Sequence, residues 1–277
     1  MPTPDALDEA VVVTCVPGRH RPGIGRPPRR EGRRPMLPQH ARMCGPLEAA
    51  SALGCLVYPA LADHESFQLR RTGPAELELT FFGGDAVRPE PLFASRFLVP
   101  ANGTGVWSWE LTRVSPACTW SEEEILAVRE ALVRSGSLWL PPGAVALRGA
   151  TDFRTPPGWD TVFTGVLNQP QSPTLLALSA RVETDWYAFD TEFRYVLQAG
   201  EILSGSGRNP VGQAFFVPRV GTDLRTARGD EVEAFRSQQD AFMARKLAHR
   251  STNAMGLEFD TAYREASRAA PAWQGAR

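Results

Sequence analysis

A switch to strict period-two alternation constrains this chain more than any other feature. Phe67 and Leu69 alternate with Gln68 and Arg70, and beyond Thr72, Gly73 and Pro74 the residues Leu77, Leu79 and Phe81 alternate with Glu76, Glu78 and Thr80. Side chains return to one face every second residue in a strand, so this segment reads as an antiparallel hairpin with one buried face. Closure around Pro74 sets Arg70 against Glu78 and Leu69 against Leu79, so charge pairing and apolar pairing select the same register. Further short strand signals lie at residues 55–58, 106–114, 144–148, 161–166, 175–186, 191–197 and 211–217. The 24 Gly and 24 Pro that punctuate them favour many turns. The fold class expected is mainly β, an antiparallel β-sandwich or jelly-roll-like domain with a mid-chain helix and a C-terminal helix.

The helices carry their own signals. Residues 46–53 read as a short helix stopped by Gly54. Ser121 with Glu124 forms a capping box, and Ile125, Val128, Leu132 and Val133 give an apolar stripe, so a helix over 122–135 interrupts the β chain. A last helix is expected from Glu231 to about His249, with Asp230 as cap and Val232, Phe235, Phe242 and Leu247 as apolar positions. Residues 1–38 hold eight of the 24 prolines, and residues 18–34 carry seven Arg against one Glu with few large apolar anchors. Such a composition predicts a disordered extension, either an arm for an anionic partner or an unselected leader with Met36 or Met43 as the start. The domain plan is thus an extension over 1–38, a single β-rich domain over 39–250 and a loose tail over 251–277.

Composition narrows the chemistry. The net charge of -1 calls for neither nucleic acid nor membrane as partner. The apolar run 10–16 is too short to span a bilayer and follows acidic residues, unlike a signal peptide. Cys15, Cys44, Cys55 and Cys118 form no CxxC pair, which fits a reducing cytoplasm, and Cys44 and Cys55 sit among apolar neighbours. Four histidines without HxH, HxD or HExxH spacing argue against a metal site, and the absence of GxSxG, GxGxxG and GxxxxGKS sequences removes the familiar serine-hydrolase and nucleotide-dependent readings. No cofactor is expected. Residues Asn102 to Gly105 resemble a phosphate loop but read as a hairpin turn, because no helix follows.

One surface remains. Between Leu175 and Trp186 the even positions are largely apolar, whereas Ser179, Arg181, Glu183 and Asp185 are polar. The next strand reverses parity, with Phe193, Tyr195 and Leu197 apolar and Glu192 and Arg194 polar. A four-residue loop over 187–190 would set Glu183 opposite Arg194 and point Trp186 into the core. That face is then either solvated sheet or the lining of a pocket. In the second case Arg154, Arg181, Glu183, Asp185 and Arg194 are the candidate ligand-binding residues, and Glu183 or Asp185 the candidate acid or base.

Arg154 to Trp159 (RTPPGW), Asn168, Val182 to Trp186 (VETDW), Gln213 and Pro218, with the opening run Cys44-Gly45-Pro46-Leu47 to Gly54, resemble a bacterial family of unknown function that carries RTPPGW and VETDW motifs. The resemblance covers about residues 36–250. It departs at 193–197, which lack an expected Asn and Trp, and at the helix over 122–134, which looks like an insertion. The resemblance implies architecture and marks positions but supplies no mechanism. In RTPPGW, the prolines stiffen an extended segment, Gly158 permits a turn, Trp159 can plug the core, and Arg154 can pair with Glu183 or Asp185. Three functional classes follow: metal-independent binding of a polar small molecule on the charged sheet face, a metal-free enzyme using Glu183 or Asp185, and a structural or assembly protein.

Overall fold

The computed structural model describes residues 11–31, 42, 44–84, 88–98, 108–134, 144–169, 175–252, 254, 256 and 258–269. Asn102 to Gly105 lie outside them. Described residues fall into two compact units, one within Val13–Leu37 and Ala49–Arg219, the other within Met1–Val12, Pro38–Glu48 and Val220–Arg277. The single domain expected to reach residue 250 therefore ends near Arg219.

The larger unit is mainly β and wholly antiparallel. Its five-stranded sheet runs β13-β3-β4-β5-β6, built from β3 (Ser66–Gly73), β4 (Glu76–Gly84), β5 (Pro89–Leu98), β6 (Ser108–Val114) and β13 (Ile202–Ser206). Arg70 pairs with Glu78 and Leu69 with Leu79 across β3 and β4, the register that alternation predicts. A four-stranded sheet runs β11-β9-β14-β2 from β2 (Cys55–Val57), β9 (Trp159–Thr164), β11 (Ala180–Val182) and β14 (Gly212–Pro218). A three-stranded sheet runs β10-β12-β7 from β7 (Ala144–Arg148), β10 (Leu176–Leu178) and β12 (Glu192–Val196). Phe67, Leu69, Phe81 and Phe97 of the first sheet share one core with Val145, Leu147, Phe163, Phe193 and Tyr195 of the others, a sandwich-like arrangement.

Helix α2 (Glu122–Leu132) begins at the capping box, with both Ser121–Glu124 hydrogen bonds formed. Its apolar stripe is packed: Ile125, Val128 and Leu132 enter the common core, and the Arg129 guanidinium lies 4.0 Å from the Trp109 ring centroid. Helix α1 (Gly45–Ser51) is short, as expected, but ends two residues before the Leu53 that its stop at Gly54 predicts. The strand expected over 175–186 breaks at Ser179. Leu178 pairs with Arg194 on β12, whereas Ala180 pairs with Phe163 on β9, so consecutive residues join different sheets. A turn then follows, with the backbone N–H groups of Trp186 and Tyr187 both donating to the Glu183 carbonyl. Period two ends there, and Trp186 is 66% exposed instead of packing in the core.

The N-terminal segment corrects the expectation of an unpacked extension across its described residues. Strand β1 (Thr14–Pro17) pairs with β8 (Thr151–Arg154), and Arg29 forms a backbone bridge with Leu56. The arginines that suggested disorder are the anchors. Arg21 makes a two-pronged pair with the buried Glu65 at 2.7 and 2.9 Å, Arg26 does the same with Asp63, and Arg19 reaches Asp190 at 3.1 Å.

In the second unit, α3 (Asp230–Ala248) starts one residue earlier than expected, with Gly229 rather than Asp230 at the cap position and no capping side chain. Its apolar positions do not make a stripe, and none of its residues is buried. The expected loose tail contains a strand pair, β15 (Arg250–Thr252) with β16 (Glu258–Asp260), and α4 (Ala262–Ala269). No helix among the described residues is long and apolar enough to cross a membrane.

Candidate functional site

The charged face gathers around a residue that local patterning does not mark. Asp160 on β9 is 2% exposed. Its carboxylate accepts Arg181 Nε at 2.6 Å and Arg219 at 2.6 and 2.8 Å. The Arg219 Nη2 also donates to Asp185 at 2.7 Å, and the other Asp185 oxygen accepts the Gly158 N–H at 2.9 Å. Glu183 accepts the Trp186 indole N–H and stands 3.9 Å from Arg219. The Arg219 hydrogen bonds hold Asp160 below the usual carboxylate range against the opposing effect of burial, with Arg181 adding to the shift. Asp185 is lowered by Arg219 first and by the Gly158 amide second. This face is therefore a network of internally partnered ions.

The five candidate ligand residues do not converge. Arg181, Glu183 and Asp185 meet around Arg219 and Asp160. Arg154 sits opposite Thr14 at the end of β8, exposed, and does not pair with Glu183 or Asp185. Arg194 lies on another sheet, 3.6 Å from Glu192, whose other oxygen takes Arg134 at 2.8 Å. Glu183 does not face Arg194, because the chain has left that sheet at Ser179.

The residues singled out as motifs tie the fold together. The hydroxyls of Thr155 and Thr161 lie 2.9 and 2.7 Å from that of Thr184, which joins the segment after β8, β9 and the VETDW turn in one buried knot. Gly158 adopts φ +79°, a left-handed conformation that glycine tolerates, and so presents its N–H to Asp185. Trp159 is only half-buried, so it does not plug the core. Gln213 accepts the Leu167 N–H at 3.1 Å and donates to the Leu53 carbonyl, while Asn168 at φ 56° donates to Ser51.

A different surface has unused polarity. A groove of about 530 Å³ opens along β13, where Ser204 and Ser206 lie opposite Gln68 and Ser66 of β3. Gln169, Asn209 and Tyr195 complete its polar lining, and Phe67, Leu203 and Val211 also border it. Tyr195 donates to the Val211 carbonyl at 2.7 Å and Ser206 to Asn209 at 2.6 Å. Gln68 and Ser204 make no side-chain hydrogen bond among the described residues, and the buried Gln169 Oε1 has no partner there. The volume falls within the range of small-molecule sites.

Sequence reasoning missed Asp160, Arg219 and this groove. The only signal for Asp160 is its position directly after the RTPPGW run, and Arg219 is one Arg after a strand-ending proline. β13 reads as Ile-Leu-Ser-Gly-Ser, without an apolar alternation to reveal it. Among the described residues no three His, Cys, Asp or Glu side chains gather to hold a metal. Cys55 is buried and its thiol is pushed up to about 12, chiefly by desolvation, as for an inert core cysteine. Comparison with family models, curated proteins and solved structures finds no match to this chain.

Proposed function

We propose that this protein binds a polar small molecule without a metal, in the β13 groove and not on the charged sheet face. The observation that carries this reading is the contrast in hydrogen bonding. Among the described residues the side chains of Gln68 and Ser204 and the Gln169 Oε1 have no internal hydrogen-bond partner, whereas Asp160, Asp185 and Arg219 are engaged with one another. An acid or base role for Asp185 is disfavoured, since Arg219 and the Gly158 amide stabilise its carboxylate and reduce its basicity. A reducing cytoplasm suits the four free cysteines, one of them exposed. Membership of the RTPPGW and VETDW family is part of the proposal, supported by the shared knot of Thr155 and Thr184, one residue from each motif.

Native mass spectrometry of the gently purified protein, with metal analysis of the same sample, tests the reading. A retained small molecule, lost in Ser204→Trp and unaffected by chelators, is the expected result. Retention unchanged by that substitution would remove the groove from consideration. A second reading, self-association, is favoured by Trp186, Tyr187 and Phe189, which are 66%, 43% and 37% exposed on one turn. A mass that rises with concentration in the wild type and stays monomeric in Trp186→Ser would support it.

A further inference from the structure

We infer that the ligand of the β13 groove is uncharged and rich in hydroxyl groups, a neutral polyol or small saccharide. This rests on the groove being the binding site. None of its described lining side chains is charged, in a chain where 22% of residues are. An ionic ligand leaving water here would meet no counter-charge, and burying an unpaired charge is strongly unfavourable. The polar groups of the lining are neutral and two-sided: the amides of Gln68, Gln169 and Asn209 and the hydroxyls of Ser66, Ser204 and Ser206, of which Ser206 already donates to Asn209. Amides and hydroxyls both donate and accept, and so does each hydroxyl of a polyol. The Gln169 Oε1, buried without a partner among the described residues, is an acceptor in the wall that a ligand O–H would satisfy. Phe67 and Leu203 also border the groove, on the opposite face of β3 and β13 from Gln68 and Ser204. A peptide added to the β13 edge would use main-chain groups and leave this concentration of amides and hydroxyls unexplained.

Saturation-transfer NMR on the full chain tests the inference with glucose, maltose and myo-inositol as neutral probes. Glucose 6-phosphate, glucuronate and glucosamine serve as charged counterparts, and a capped trialanine peptide as the alternative. The expected result is transfer to at least one neutral polyol, with charged counterparts about tenfold weaker or more. Binding should fall by a similar factor in Ser204→Trp and in Asn209→Trp, two separate blocks that guard against one variant failing to fold. Gln169→Leu should weaken the polyol while leaving the melting temperature in place. Silence from every neutral polyol overturns the inference. A charged probe or the peptide binding instead, and lost in both blocked variants, overturns the ligand class but leaves the groove as the site. Binding that survives both blocks overturns the groove as well.

Discussion

The Asp160 cluster and the β13 groove are both polar surfaces of one unit, and they differ in where their hydrogen bonds go. At Asp160 two guanidinium groups and two carboxylates are closed on one another, with the Gly158 amide as a further donor. Along the groove, neutral side chains line an open volume and several lack internal partners among the described residues. Charged residues in a sequence attract functional readings, yet buried charge must be paired to be tolerated, so a cluster of acids and arginines is most often engaged in holding the fold. Neutral polar groups cost less to leave partly unsatisfied at a surface. They are free to meet a ligand.

If paired charge is structural in this molecule, the largest effect should appear where the pair is most buried. Arg21→Ala leaves the carboxylate of Glu65, 4% exposed, with the Ala62 N–H as its one remaining hydrogen-bond donor among the described residues, and should cost about 3 kcal/mol in chemical denaturation. A loss below about 0.5 kcal/mol would show that the segment over 13–31 contributes little to stability and would weaken the comparison. Asp160→Ala should cost about 2 kcal/mol, less because Arg181 and Arg219 are partly exposed and can return to water.

Acid should sharpen the same contrast. Asp160 lies below the usual range because of Arg219 and Arg181. For Glu65 burial is the largest influence and pushes upward, but the Arg21 hydrogen bonds and the Ala62 N–H together outweigh it. Carboxyls whose folded pKa is depressed contribute stability that is present above their unfolded pKa, near 4, and lost as pH falls through the folded value. The wild type should therefore lose stability below about pH 5, and Asp160→Asn should show a shallower loss over that interval. An identical pH profile for wild type and variant would contradict the assignment. Smallest of all, Arg154→Ala should change stability by no more than about 0.5 kcal/mol and leave ligand retention untouched, since Arg154 is exposed on β8 and apart from both surfaces.

What was legible in the chain was what neighbours in sequence decide. The β3–β4 register follows because apolar and charged pairing agree at Leu69–Leu79 and Arg70–Glu78, and α2 begins where Ser121 and Glu124 cap each other. Strand β5 escaped because Pro89 and Pro91 break its pattern and its pairing with β4 shifts between Phe81 and Phe82. The passage from one sheet to another at Ser179 was invisible for a different reason. It is drawn by Asp160 and Thr161 on β9, which reach Arg181 and Thr184 across the fold, and no local period encodes such distant partners. The N-terminal arginines misled in the same way, since Glu65 and Asp63 lie tens of residues away. Among the site candidates, the grouping of Arg181, Glu183 and Asp185 was legible. The partners that engage them, Asp160 for Arg181 and Arg219 for Asp185, were not.

The most direct test of this account measures ligand retention and thermal unfolding together in Ser204→Trp and Asp160→Ala, using native mass spectrometry and calorimetry on each. The account predicts that Ser204→Trp loses the bound molecule while melting within about a degree or two of wild type. Asp160→Ala should melt several degrees lower yet retain the molecule when folded, given about 2–4 °C per kcal/mol for a unit of this size. The opposite pattern, with retention lost in Asp160→Ala below its transition and preserved in Ser204→Trp, would return the function to the charged face and contradict the assignment of the groove.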